Sequence, residues 1–418
     1  MLFTELNTKV LLDIFDCLDL IDAINLAGTC VRLREVAQLQ YAIRYRIFNL
    51  RNFLNDGDQV QRHNYVDATV VLKSIGHVIS VLVVDLDETK IGAVLVATIR
   101  RYCTKVKSLK IVSRCYNNKP LTVEWLKSLK LEKITLQATD VMLLDLSGTS
   151  TLKELVFCWP WGYSDPNARW MVKRIFERNR NIASMSIKLF DGIDYESFAT
   201  LNSLKCIQFD NVHEGTLQKV AAQLKMSELE KVGIDRTYTS ANEISAFLAT
   251  LAKNAPKLKE LSVHSTERND LTSIHLFELT SLRITVTDPD ACKELPEMQP
   301  NLKHLDLFIS NRIKPAQQII SLVKGMHRLE IFHVDTFGNK ALSMMKALKK
   351  ELGSDRIWNA CSFNRPELRM YVRNSYRIDF VRLTLNFTER KFTVTDIPFR
   401  RNYFSESINN QLLLPCCY

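Results

Sequence analysis

The chain has 418 residues, 46% hydrophobic and 24% charged, with only 12 glycines and 11 prolines. That composition excludes disorder, collagen-like repeats and low complexity, and is enough for two or three domains, or for one repeat array plus a module. The net charge of +10 is uneven, with 14 Lys and Arg against 7 Asp and Glu in residues 340–418, which favours an acidic partner over a nucleic-acid groove. Eight of the ten cysteines are scattered singly, mostly in apolar runs, as small buried hydrophobes are in a reducing compartment. There is no CxxC pair, no HExxH and no Gly-rich phosphate loop, so no metal or cofactor is expected. Residues 1–16 carry Glu5, Lys9 and Asp13 without a long apolar run, so no cleaved signal peptide is expected. The longest apolar runs, 78–84 and 91–99, fall far short of a membrane span. An intracellular, soluble protein is expected, in cytoplasm, nucleus or both.

Residues 1–50 differ in kind from the rest. Val10, Leu11, Ile14, Phe15 and Leu18 recur at i, i+1, i+4, i+5 and i+8, one wide apolar helix face. Asp22 is placed to cap a second helix carrying Ile24, Leu26 and Ala27, and Val31, Leu33, Val36 and Ala37 continue the pattern. Fifty residues of short helices do not easily build a self-sufficient core, so the module should dock on the following repeats or on another protein.

The run LNTKVLLDIFDCLDLIDAINLAGTCVRLREVA, residues 6–37, resembles an F-box. Leu6 takes the first place, Val10 and Leu11 the aliphatic pair, Ile14 and Phe15 the next, and Leu18 follows; Cys30, Arg32 and Leu33 close the motif. Asn7 stands where the family has Pro, and Leu33 where it has Trp. An F-box followed by leucine-rich repeats is the architecture of substrate receptors in SCF ubiquitin ligases. The resemblance implies that Leu6, Val10, Leu11, Ile14, Phe15, Leu18, Ile24, Cys30 and Leu33 bind the Skp adaptor, and through it cullin and RING subunits. The competing reading is a helical cap on the first repeat.

Residues 51–75 read as a linker and the cap of the array. After them, VLVVDLDETK, residues 81–90, resembles the nucleophile motif of haloacid-dehalogenase phosphatases. That resemblance implies Asp85 as nucleophile, Asp87 as general acid and Mg²⁺ to neutralise charge. No later acidic pair in a Gly-Asp context completes it, and residues after Thr89 read as a helix where that family inserts a flap. Solvated loop carboxylates are the plainer reading.

Over 76–340 an apolar-x-x-apolar-x-apolar unit recurs. It starts at Ile79, Val106, Leu131, Leu152, Ile182, Leu204, Leu229, Leu258, Leu279, Leu302 and Leu329, about 25 residues apart on average. Seven of these open with Leu-Lys or Leu-Glu, a coincidence of phase and wording that chance does not supply. Amphipathic segments of helical period lie between them, at 168–178, 241–253, 316–324 and 340–352. Strand, turn and helix at this period resemble degenerate leucine-rich repeats. They depart at the family's Asn or Cys, replaced here by Arg114, Pro160, Val212, Thr266 or Ser310. Residues 341–418 read as final repeats, a C-terminal cap and a basic tail: a further unit fits Phe380, Leu383 and Leu385 two periods after Leu329, while segment 376–396 alternates like paired strands, as in a modified cap.

The fold expected is α/β: an F-box-like helical module, then a curved leucine-rich-repeat αβ solenoid with parallel strands on its concave face. The function expected is a non-catalytic substrate receptor; the alternatives are a ligase-independent repeat scaffold and the phosphatase. Concave positions alternate with the buried leucines: Lys231, Asp235, Glu260, His264, His304, Asp306, Phe308, His333 and Asp335. With the basic tail beside them, they suit an acidic or phosphorylated target protein rather than nucleic acid.

Overall fold

The computed structural model describes residues 5–50, 61–85, 93–112, 129–137, 151–157, 166–189, 193–235, 238–264, 273–286, 291–309, 315–336, 347, 350, 367–374, 377–386 and 391–397. Its contacts divide the chain into two units, Met1–Ile182 and Ala183–Tyr418.

The N-terminal unit opens with helices α1 Thr8–Cys17, α2 Leu20–Thr29 and α3 Val31–Arg44. Each starts on a side-chain acceptor that satisfies backbone N–H groups the first turn leaves open. Asn7 accepts from the amides of Lys9 and Val10 (2.7 and 3.3 Å), so the residue standing in place of Pro is a helix cap. Asp19 accepts from Asp22 N at 2.8 Å, which moves the cap of α2 three residues ahead of the Asp22 expected from sequence. Cys30 Sγ caps α3 through Leu33 N at 3.4 Å. Leu11, Phe15, Ala23, Ala27, Leu33, Val36, Ala37 and Tyr41 are the buried apolar residues of the three helices.

Strand β1 Ile47–Asn49 follows directly and pairs in parallel with β2 Val81–Asp85. Strands β3 Ser108–Val112, β4 Lys133–Gln137 and β5 Glu154–Phe157 are added in order, all parallel. The segment 51–75 contains the helix Gln61–Ile75, which packs on α2 and on the helix Ala93–Tyr102. The helix Pro166–Arg178 lies where 168–178 is periodic.

The C-terminal unit runs β6 Ser184–Lys188, β7 Cys206–Asp210, β8 Lys231–Asp235, β9 Glu260–Val263, β10 Ser281–Val286, β11 His304–Ile309, β12 Ile331–Thr336 and β13 Glu367–Asn374, each parallel to the last. Strands β14 Arg377–Asn386 and β15 Lys391–Ile397 then pair antiparallel. Phe380, Leu383 and Leu385 thus belong to an antiparallel hairpin strand, not to a further parallel repeat. Helices Thr216–Gln223, Ala241–Asn254, Ala291–Met298 and Pro315–Gly325 separate parallel strands. The helix expected over 340–352 lies outside the described residues, apart from the helical Ala347 and Lys350.

Strands β2 to β12 each begin two residues after the first apolar residue of a repeat, and all eleven of those apolar residues are buried. The residue between has a fixed task. Lys107 O accepts from Glu132 N and Lys133 N, Lys205 O from Glu230 N and Lys231 N, and Lys303 O from Glu330 N and Ile331 N, all at 2.8–3.0 Å. In four places its side chain pairs with the equivalent residue of a neighbouring repeat: Lys107–Glu132 (2.7 Å), Lys153–Glu132 (3.2 Å), Lys205–Glu230 (2.8 Å) and Lys303–Glu330 (3.3 Å). Six of the seven Leu-Lys and Leu-Glu words are therefore a buried stop followed by a member of an ion pair between repeats. Hydrogen bonds from Lys107 and Lys153 hold the Glu132 carboxyl below its usual range.

Inside the strands burial alternates, as in β10, where Leu282, Ile284 and Val286 are buried and Ser281, Arg283 and Thr285 are half-buried. The buried set packs on helices; Phe209 of β7 meets Phe247 of Ala241–Asn254 edge-on at 5.9 Å. Two buried polar side chains tie successive segments. Glu243 accepts from Gly215 N (2.7 Å), Leu217 N (3.0 Å) and Thr239 Oγ1, so it caps the neighbouring helix Thr216–Gln223. Gln299 donates to Ile274 O (2.7 Å) and Phe277 O (2.9 Å) and accepts from Leu279 N (3.1 Å). Of the positions where the family's Asn or Cys is missing, only Val212 is described; it is buried, and its carbonyl accepts from Tyr238 N at 2.8 Å.

Candidate functional site

Two surfaces carry the residues singled out in the sequence. The first is α1–α3. Leu11 and Phe15 are 0% and 1% exposed, and Leu33 is also buried, which corrects the expectation that they form an open binding face. They are the three-helix core, because an apolar stripe this wide closes on its own neighbours first. Leu6, Ile14, Leu18, Ile24 and Cys30 are half-buried, and Val10 is exposed. Arg32 Nη2 donates to Leu6 O (2.9 Å) and Arg44 Nη1 to Phe15 O (3.2 Å), so the basic residues of α3 hold α1 and the segment before it.

The exposed aliphatic surface includes Leu39 and Ile43, which the sequence did not single out. Val31 is 66% exposed, Leu39 56%, Ile43 76% and Val10 42%. Leu39 and Ile43 are one helical turn apart, and Val31 lies two turns before Leu39 on the same stripe, a spacing that could have shown a second apolar face of α3.

The second surface is the outward face of β8–β13. Register brings the nine expected residues together on adjacent strands. Lys231 pairs with Glu260 (2.8 Å), His333 Nδ1 lies 2.9 Å from Asp306 Oδ1, and His264 Nδ1 lies 3.8 Å from Asp235 Oδ1 and 2.9 Å from Thr285 Oγ1. The Phe308 ring stands edge-on to His264 at 6.2 Å, and the Arg283 guanidinium sits over that ring at 4.8 Å. His304 is beside Ser281 and Ile331, and Asp335 beside Phe308 and Arg373. His264 is exposed; the other eight are half-buried.

Arg283 and Thr285 complete this surface and were missed. The alternation applied to the repeat at Leu279 would have found them, since Ser281, Arg283 and Thr285 alternate with Leu282, Ile284 and Val286. The face is not open throughout: in β6 Ser186 and Lys188 are buried, and Gly233 of β8 lies beneath the Gln208 side chain, whose Oε1 occupies the place of a Cβ.

Asp85 closes β2, beside Val112 of β3, and Asp87 lies outside the described residues. The helix Ala93–Tyr102 follows, as expected in place of a flap. The expectation of buried cysteines holds for Cys103, whereas Cys17 is exposed and Cys30 and Cys206 are half-buried. Among the described residues no group of three or more His, Cys, Asp or Glu is arranged to hold a metal ion. No helix among them is long and apolar enough to cross a membrane. No family model matches the chain, and no curated protein matches it. Both surfaces rest on this chain's own residues.

Proposed function

We propose that the protein is the substrate-recognition subunit of an SCF-type ubiquitin ligase, acting in the cytoplasm or nucleus. In this reading α1–α3 are an F-box that binds the Skp adaptor, and the strand repeats are leucine-rich repeats that hold a target protein for ubiquitination. Catalysis belongs to the assembled ligase. The observation that carries the reading is the division of labour within α1–α3. The three helices close a small core of their own, yet leave Val10, Val31, Leu39 and Ile43 in water. Val31, Leu39 and Ile43 share one stripe of α3, and an exposed aliphatic stripe suits a partner surface. A cap built only to shield the first repeat has no use for it.

The test is reconstitution. The full chain mixed with purified Skp adaptor should elute as a stable complex and recruit cullin with its RING subunit. Failure to form that complex at micromolar concentrations, with both proteins folded, would leave a ligase-independent scaffold.

A further inference from the structure

On the outward face of β8–β13, Lys231 pairs with Glu260 and Arg369 with Glu367 (2.6 Å), while Asp306 and Asp235 lie beside the imidazoles of His333 and His264 (2.9 and 3.8 Å). Arg283 has no such ion-pair partner among the described residues: it is half-buried, and no carboxylate among them lies within ion-pairing distance of it. Asp306 stands opposite it in register but is engaged by His333. The guanidinium instead lies over the Phe308 ring, which His264 in turn braces edge-on. A planar five-donor group held against an aromatic face is pre-oriented to grip an anion with little further loss of freedom.

We propose that Arg283 and Phe308 form an anion subsite for an acidic peptide: one carboxylate or phosphate on the peptide is gripped by the Arg283 fork, and an adjoining apolar side chain covers Phe308. The ligand is a peptide rather than a nucleic acid because of the neighbouring carboxylates. Asp235, Glu260, Asp306 and Asp335 surround the subsite on adjacent strands, and they would repel a polymer carrying a charge at every residue. A single anion flanked by neutral or basic residues meets that repulsion at one position only, where the Arg283 charge offsets it. This subsite rests on the strand face being the target surface, and not on adaptor binding by α1–α3.

The experiment uses the full chain and four fluorescein-labelled degenerate nonapeptide pools with Glu, phosphoserine, Gln or Lys fixed at the centre, read by anisotropy. At least one anionic pool should bind about tenfold or more tighter than the Gln and Lys pools, the difference between them separating carboxylate from phosphate. Arg283→Gln should abolish that preference. Arg283→Lys should keep part of it, as a point charge without the fork, and Lys205→Gln, an equal charge loss at a strand entrance, should leave it intact. Equal binding of all four pools overturns the proposal. So does an Arg283→Gln protein that keeps the preference, a Lys205→Gln protein that loses it equally, or tighter binding of a uridine-rich RNA oligonucleotide. Adaptor binding measured on the same proteins should not change with Arg283→Gln, so this subsite and the ligase reading can fail separately.

Discussion

Ile43→Asp separates the exposed surface of α3 from the core beneath it. Ile43 is 76% exposed in the free chain, so the substitution takes almost nothing from the fold. Burying an isoleucine is worth about 1.5–3 kcal/mol, and three quarters of that, about 1–2 kcal/mol, remains for the adaptor to collect. An aspartate in the same contact adds about 1–3 kcal/mol for an unpaired polar group taken out of water. The sum, about 2–5 kcal/mol, is a loss of roughly 30-fold or more in affinity. Leu11→Ala is the opposite case. Leu11 is fully buried, so its truncation should cost about 2–5 kcal/mol of stability and weaken adaptor binding only through unfolding of the helices. Titration calorimetry against the purified adaptor, with circular dichroism melts of each variant, measures both quantities. The reasoning fails if Ile43→Asp binds as wild type. It fails equally if Leu11→Ala loses binding while its melt is unchanged, since Leu11 would then touch the partner directly.

Glu243→Ala strips the acceptor from two backbone amides and one hydroxyl, and should cost about 2–6 kcal/mol in urea unfolding, with hydrogen exchange accelerated at Gly215 and Leu217; Glu243→Gln, which keeps one acceptor, should cost less. Burial pushes the Cys103 thiol up to about 12 from 9.0, so iodoacetamide at mild alkaline pH should label exposed Cys17 and spare Cys103 until the chain unfolds. Burial likewise pushes the Tyr41 phenol up to about 12 from 10.0. Both groups are neutral in the fold and ionise more readily in the unfolded chain, so stability of the N-terminal unit should fall as pH rises from about 9 to 12 and be unaffected by either below that window. With Mg²⁺ the full chain should not hydrolyse an aryl phosphate above buffer, and activity that Asp85→Asn removes would overturn the non-catalytic reading.

Periodicity alone determined the repeated part of this protein. An apolar residue every 25 or so positions, followed by alternation of period two, has one economical burial: a parallel strand with its even positions inward. The starts of β2 to β12 follow that rule without exception. The second word of the motif, Lys or Glu, was visible as a regularity but not as ion pairs between repeats. A residue's partner on the next strand is set by the pairing register, and register is a tertiary property. The helical module divided the same way. Its apolar stripes showed two helices and a continuing pattern that proved to be a third, but a stripe does not say whether it is core or interface. Leu11 and Phe15 turned inward because α3 lies against α1, and that packing left Leu39 and Ile43 outside. On the strand face, alternation named nine residues, while only the arrangement of neighbouring side chains decided which charges were already spent. Among the described residues Arg283 is held on the Phe308 ring and not on a carboxylate, while Asp306 beside it lies against His333.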